Sequence, residues 1–98
     1  MKNSSYNNFF TNFSSRSKFG IVMALRNGPL SVSEISERIG EEQSAVSHNL
    51  GKLAACNVLS VKQEGKQRIY SLNRETVIPM LEIVERHVKK HCIGRCGK

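Results

Sequence analysis

The stretch "HVKKHCIGRCGK", residues 87–98, holds two of the three histidines and two of the three cysteines in the chain. His87 and His91 are four residues apart, so on a continuous helix both point to one side. Two such imidazoles make a half-site for zinc or another transition metal. Cys92 and Cys96 share that spacing, although Gly94 is expected to end the helix between them. The basic neighbours Arg86, Lys89 and Lys90 lower a thiol pKa, which favours metal or redox chemistry. Three readings stay open: a metal site of His87, His91, Cys92 and Cys96, a Cys92–Cys96 thiol pair, or a polar helix end. Cys56 stands apart and reads as a small, partly buried hydrophobe.

A second set lies in "QSAVSHNLGKLAA", residues 43–55. Val46, Leu50 and Leu53 fall at i, i+4 and i+7 and define one buried helical stripe. The opposite face carries Ser44, Ser47, His48, Gly51, Lys52 and Ala55. Gln43 can bond an adenine edge through two atoms, and serine can bond a base or a phosphate. Gly51 and Ala55 keep the face low, so a nucleic-acid backbone could approach closely.

The surrounding elements must hold that helix in place. Just before it, "LSVSEISERIG" carries a helix-start signature, with Ser31 and Glu34 as a capping box and Leu30 and Ile35 as a hydrophobic staple. Val32, Ile35 and Ile39 continue at helical spacing, and Gly40 ends the element. Two short helices joined by a tight glycine-containing turn form a helix-turn-helix, whose second helix enters the major groove. After it, "LSVKQEGKQRIYSLN" alternates through Leu59, Val61, Tyr70 and Leu72 around a glycine turn, which predicts a β-hairpin. Lys62, Lys66 and Arg68 lie near its tip and suit phosphate contacts.

Phe9, Phe10 and Phe13 begin a first helix, and "SRSKFGIVMALRNGP" forms a second with Phe19, Val22, Met23 and Leu25 as expected core. Gly28 suits a left-handed cap and Pro29 blocks continuation. Asn73 can cap a last helix whose apolar stripe is Val77, Met80, Leu81, Val84 and Val88, and Pro79 either kinks it or marks its first turn. The predicted fold is mainly α with a small β-hairpin, a winged helix-turn-helix of order α-α-α-α-β-β-α. The expected organisation is a flexible segment 1–8, a DNA-binding and dimerisation domain 9–92 and a tail 93–98.

Charge supports a polyanionic partner. The chain has 15 Lys+Arg against 8 acidic residues, for a formal net charge of +7. Residues 51–98 hold 10 of the basic and 4 of the acidic groups, so the bias sits in the half with the hairpin. No segment is long and apolar enough to span a membrane, and "MKNSSYNNFF" lacks the apolar core of a secretion signal, so a cytoplasmic protein with reduced thiols is expected.

"QSAVSHNLGKLAACNVLSVKQEGKQRIYSLN", with "FFTNFSSRSKFGIVMAL" before it, resembles the ArsR/SmtB family of winged-helix repressors, over about Phe9 to His91. The resemblance implies a homodimer built through the first and last helices, here Phe9, Phe10, Phe13, Met80, Val84 and Val88. It also implies binding to a pseudo-palindromic operator in double-stranded DNA, weakened by a metal or other signal. One departure is informative. Metal-sensing members carry a Cys-x-Cys pair at the start of the first helix of the helix-turn-helix, where this chain reads "SVSEI" with Ser31 and Ser33. Hydroxyls cannot replace thiolates for soft metals. A second sensor set, on the last helix, uses spaced Asp, His and Glu, and this chain has no Asp.

An enzyme is not expected, because the chain has no phosphate loop, paired carboxylates or Ser/His/Asp spacing. A winged helix can instead serve as a protein-interaction module. Such a module would show apolar or acidic residues on the exposed face of its second helix, whereas this face is Ser, His, Gly, Lys and Ala beside a basic hairpin. DNA binding is therefore the reading favoured, with no cofactor required and zinc or another transition metal as the candidate effector.

Overall fold

The computed structural model describes residues 3–92. Five α-helices and three strands follow in the order α1 (Asn3–Ser14), α2 (Arg16–Ala24), β1 (Leu30–Ser31), α3 (Val32–Ile39), α4 (Gln43–Ala55), β2 (Leu59–Glu64), β3 (Gln67–Leu72) and α5 (Val77–His87). A 3-10 turn, Leu25–Asn27, ends α2, and a wider π turn, Val88–Cys92, extends α5.

The core is one cluster. Ile21, Val22 and Leu25 from α2 and its 3-10 turn meet Ile35 of α3, Val46, Leu50 and Leu53 of α4, and Val77 and Leu81 of α5. Leu59, Tyr70 and Leu72 close it from the sheet. Phe19 and Met23, expected in this core, are instead 42% and 36% exposed, and Ile21 and Ala24 are buried. "FGIVMAL" is apolar almost all round, so helical spacing alone does not choose its inner face.

Local chemistry sets the ends of the helix-turn-helix. The Ser31 hydroxyl accepts the Glu34 N–H at 3.3 Å, and the Glu34 carboxylate accepts the Ser31 N–H at 2.8 Å. These bonds satisfy two helix-end donors reciprocally. Gly40 closes α3 at φ 72, where a Cβ would be strained, and the N–H groups of Gly40 and Glu41 both donate to Ser36 O. α4 ends in a Schellman turn. Asn57 takes φ 57, its N–H donates to Ala54 O, and the Val58 N–H donates to Leu53 O. Gly28 adopts φ 146 and ψ 171, so it leaves the 3-10 turn through an extended glycine conformation rather than the expected left-handed cap.

The hairpin turns at Gly65 and Lys66, with Gly65 at φ 62 as a glycine-first two-residue turn requires. β1 adds a third strand that sequence reading did not anticipate. Leu30 pairs with Tyr70 and Ser31 with Ile69, giving an antiparallel sheet of order β1-β3-β2. Because Ser31 is also the cap of α3, the sheet is joined directly to the start of the helix-turn-helix. Asn73 holds the other side. Its Nδ2 donates to Asn57 O, and its Oδ1 accepts from the Glu75 and Thr76 N–H groups ahead of α5. Pro79 falls in the first turn of α5, where its missing N–H leaves no helical bond unmade.

Residues 3–8, expected to be a flexible segment, belong to α1. Once Phe9 and Phe13 pack on the core, each residue added upstream gains a helical bond without a new nucleation cost. Thr11 and Asn12 also donate back to Asn7 O and Asn8 O.

Ser31→Ala is expected to lower folding stability by about 1 kcal/mol, the usual cost of a lost cap, measured by urea unfolding. The Ser31 backbone and hydroxyl bonds also hold the Glu34 carboxyl below the usual glutamate range. A carboxyl depressed in the folded state stabilises at higher pH, and that contribution is lost as pH falls through its folded pKa. Glu34→Gln should therefore flatten the loss of stability on acidification, while an unchanged acid slope would show that the box carries no linked proton.

Candidate nucleic-acid interface

α4 lies with Val46, Leu50 and Leu53 buried and Ser44, Ser47, His48, Gly51 and Lys52 exposed. Beside it the hairpin forms the second wall of an open cleft of about 650 Å³. Ser47, Gly51 and Ala54 line the cleft from α4, and Val61, Gln63, Lys66 and Arg68 line it from the sheet. No carboxylate is among its lining residues, so the cleft carries positive charge only.

Register decides which cations share that cleft. Val61 faces Tyr70 and Gln63 faces Arg68 across the hairpin, on the side toward α4. Lys62 faces Ile69 on the other side, because successive side chains alternate between faces. The hairpin cations named together from the sequence are thus divided, with Lys66 and Arg68 at the cleft and Lys62 behind them. Gln63 and Ser33 are cleft residues outside the set expected from the sequence. Gln63 was legible as i+2 from Val61. Ser33 was not, since it joins only through the closeness of α3 and α4.

The two serines at the thiolate-pair positions are committed to other bonds. Ser31 is buried as the α3 cap, and the Ser33 hydroxyl accepts from Gln43 Nε2 at 3.2 Å. The second bond ties the first turn of α4 to that of α3. Gln43 itself remains exposed, at the N-terminal end of α4 with Ser44.

At the far end of the chain, the His87 and His91 rings stack at a tilt, with centroids 4.9 Å apart. Both residues are exposed. Among the described residues, no three His, Cys, Asp or Glu side chains gather into a metal-holding group. Cys96 and the Cys92 side chain lie outside the described part of the molecule. Cys56 is exposed at the C-cap of α4, not partly buried as expected.

Comparison with known proteins decides the family. Residues 15–61 match the model for bacterial regulatory proteins of the arsR family. Over 66 residues the chain is 41% identical to the HTH-type transcriptional regulator NmtR of Mycobacterium tuberculosis. The chain belongs to the ArsR family. The alignment with NmtR covers 67% of this chain and 55% of NmtR, so this ArsR-family chain spans about half the length of that relative. Among solved structures it resembles a homodimeric winged helix-turn-helix DNA-binding domain from Mycobacterium bovis, described as a possible ArsR-family regulator. That likeness has a TM-score of 0.83 at 19% identity, over 91% of this chain and 82% of that one. It also resembles HlyU from Vibrio cholerae, with a TM-score of 0.77 at 24% identity over 94% and 99% of the two chains. At these identities the structures establish the winged-helix fold. Membership in a family of regulatory proteins agrees with the reading of the sequence as non-enzymatic. No helix among the described residues is long and apolar enough to cross a membrane.

Proposed function

We propose that this ArsR-family chain is a sequence-specific DNA-binding transcriptional regulator, acting as a repressor and as a homodimer through α1 and α5. The observation that carries this reading is the cleft, where Ser47, Gly51 and Ala54 of α4 stand beside Lys66 and Arg68 with no carboxylate between them. An α-helix fits the major groove, and flanking cations reach the phosphates. Gln43, Ser44, Ser47 and His48 are the residues for base edges, and Lys52, Lys66 and Arg68 those for phosphates. Lys62, on the outer face of the hairpin, would meet DNA only where the wing enters a groove. Two copies of α4 related by a two-fold axis would read half-sites with centres about 34 Å apart.

The test is a gel shift with the DNA upstream of the gene, followed by selection from random duplexes. Ser47→Ala or His48→Ala should reduce discrimination between operator and random DNA by about 1–3 kcal/mol. Lys66→Ala should weaken both alike and reduce the salt slope by about one unit. Altered base preference with an unchanged salt slope in Lys66→Ala would refute this division of roles.

The finer reading concerns an effector. The exposed His87 and His91 rings present two borderline nitrogen donors one helical turn apart, which suits half of a zinc site. Cys92 and Cys96 are the thiols nearest in sequence to complete it. A bound ion would favour whichever dimer geometry brings its ligands together, with a coupling to operator binding of about 1–3 kcal/mol. Calorimetric zinc titration of the full chain against one truncated after Lys90 tests this, because the truncation removes His91 and both thiols. Equal zinc affinity in the two would remove the tail site. Tail-dependent zinc binding with unchanged operator affinity would leave a structural metal only. Zinc affinity should fall on acidification, because thiols and imidazoles must lose protons to bind.

A further inference from the structure

α4 begins without a cap of its own, because its N-cap residue Glu42 makes no side-chain bond to the first turn. The side-chain bond at this end comes from α3, where the Ser33 hydroxyl accepts from Gln43 Nε2 at 3.2 Å. Ser33 is a fixed point for that bond. It sits inside the Ser31–Glu34 capping box, next to the β1 pairing with β3 and shortly before the fully buried Ile35. Its side chain is exposed on the cleft, and among the described residues its hydroxyl makes no other hydrogen bond. The bond therefore joins an anchored serine to an exposed glutamine at the start of the helix that faces DNA.

We propose that Ser33 is a positioning residue for DNA reading, whose hydroxyl holds the Gln43 amide in the pose that reads one adenine in each half-site. The proposal rests on the DNA-binding reading and deepens it, because it names a base and the residue that stands behind its reader. A glutamine amide has two N–H donors and one carbonyl acceptor. Ser33 takes one N–H, the one on the Cγ side. The second N–H and Oε1 remain side by side. Adenine offers the matching pair in the major groove, an N7 acceptor next to an N6 donor. Guanine offers two acceptors, N7 and O6, so its O6 would stand against Oε1. Holding the amide beforehand also removes a cost of binding. A free glutamine side chain loses rotamer freedom when it docks, whereas one already tethered has lost it on folding.

Selection from random duplexes, then anisotropy titrations, tests this with Ser33→Ala, Ser33→Thr, Gln43→Ala and the double variant Ser33→Ala/Gln43→Ala. Three duplexes are compared: the selected one, the same duplex with its adenine pair changed to G·C, and a random one. Ser33→Ala should weaken binding to the selected duplex about two- to tenfold, the usual cost of ordering one long side chain. Affinity for the other two duplexes and the salt slope should not move. Ser33→Thr, which keeps the hydroxyl, should restore the adenine preference. In the Gln43→Ala background, Ser33→Ala should have no further effect, because the two residues act as one unit. In the free protein, the order parameter of the Gln43 side-chain amide by NMR should fall in Ser33→Ala, and an unchanged value would overturn the tether. A wild type that selects no sequence would overturn the DNA reading and this proposal with it. Sequence-specific binding with base preference intact in Gln43→Ala would keep the DNA reading and overturn the proposal. So would an equal loss on all three duplexes in Ser33→Ala, the mark of a phosphate contact, or an additive loss in the double variant.

Discussion

Gly51→Leu is expected to make the isolated protein more stable and to weaken operator binding. Glycine inside a helix costs about 0.5–1 kcal/mol relative to alanine, and leucine is nearly as good a helix former. Gly51 lies within α4, is exposed, and a Cβ there would meet nothing within 4 Å. Folding therefore gains from the substitution. DNA recognition loses, because Gly51 lines the cleft one turn after Ser47, where the added side chain would hold α4 away from the base edges. Loss of one base contact costs about 1–3 kcal/mol, so operator affinity should drop by about five- to 150-fold. Urea unfolding and a fluorescence anisotropy titration would read the two opposed effects. Wild-type affinity in Gly51→Leu would mean that this face of α4 does not enter the groove. A destabilised protein would mean that helix propensity is not what governs the site.

Leu53→Ala is a core change with a large expected effect. Leu53 is fully buried, and its carbonyl accepts the Val58 N–H in the turn that closes α4. Truncating such a leucine costs about 2–5 kcal/mol. A domain of this size has about 5–15 kcal/mol in all, so much of its stability would be lost. Val61→Ala, at a half-exposed strand position, should stay within about 0.5 kcal/mol and serves as the control. Both need equal protein concentration, since self-association adds to apparent stability wherever it occurs. A cost under about 1 kcal/mol for Leu53→Ala would show that the α4 stripe is not the centre of the core.

Features decided by near neighbours were legible in the sequence. The Ser31–Glu34 box, the Gly40 stop, the Val46–Leu50–Leu53 stripe and the Gly65 hairpin each rest on residues within a few positions of one another. Caps, helical stripes and tight turns form from local bonds and spacing, so their residue types reveal them. Tertiary structure decided the rest. β1 is two residues long, too short for any alternation of its own, and exists because Leu30 and Ser31 find β3 some forty residues later. α2 is apolar on both sides, so only the placement of α3, α4 and α5 determines that Ile21 goes inward while Phe19 and Met23 go out. The register of β2 on β3 sets Arg68 beside α4 and Lys62 behind it, although both are simply hairpin cations in the sequence. In each case the local pattern permits two arrangements of nearly equal cost, and the choice falls to whichever surface a distant element covers.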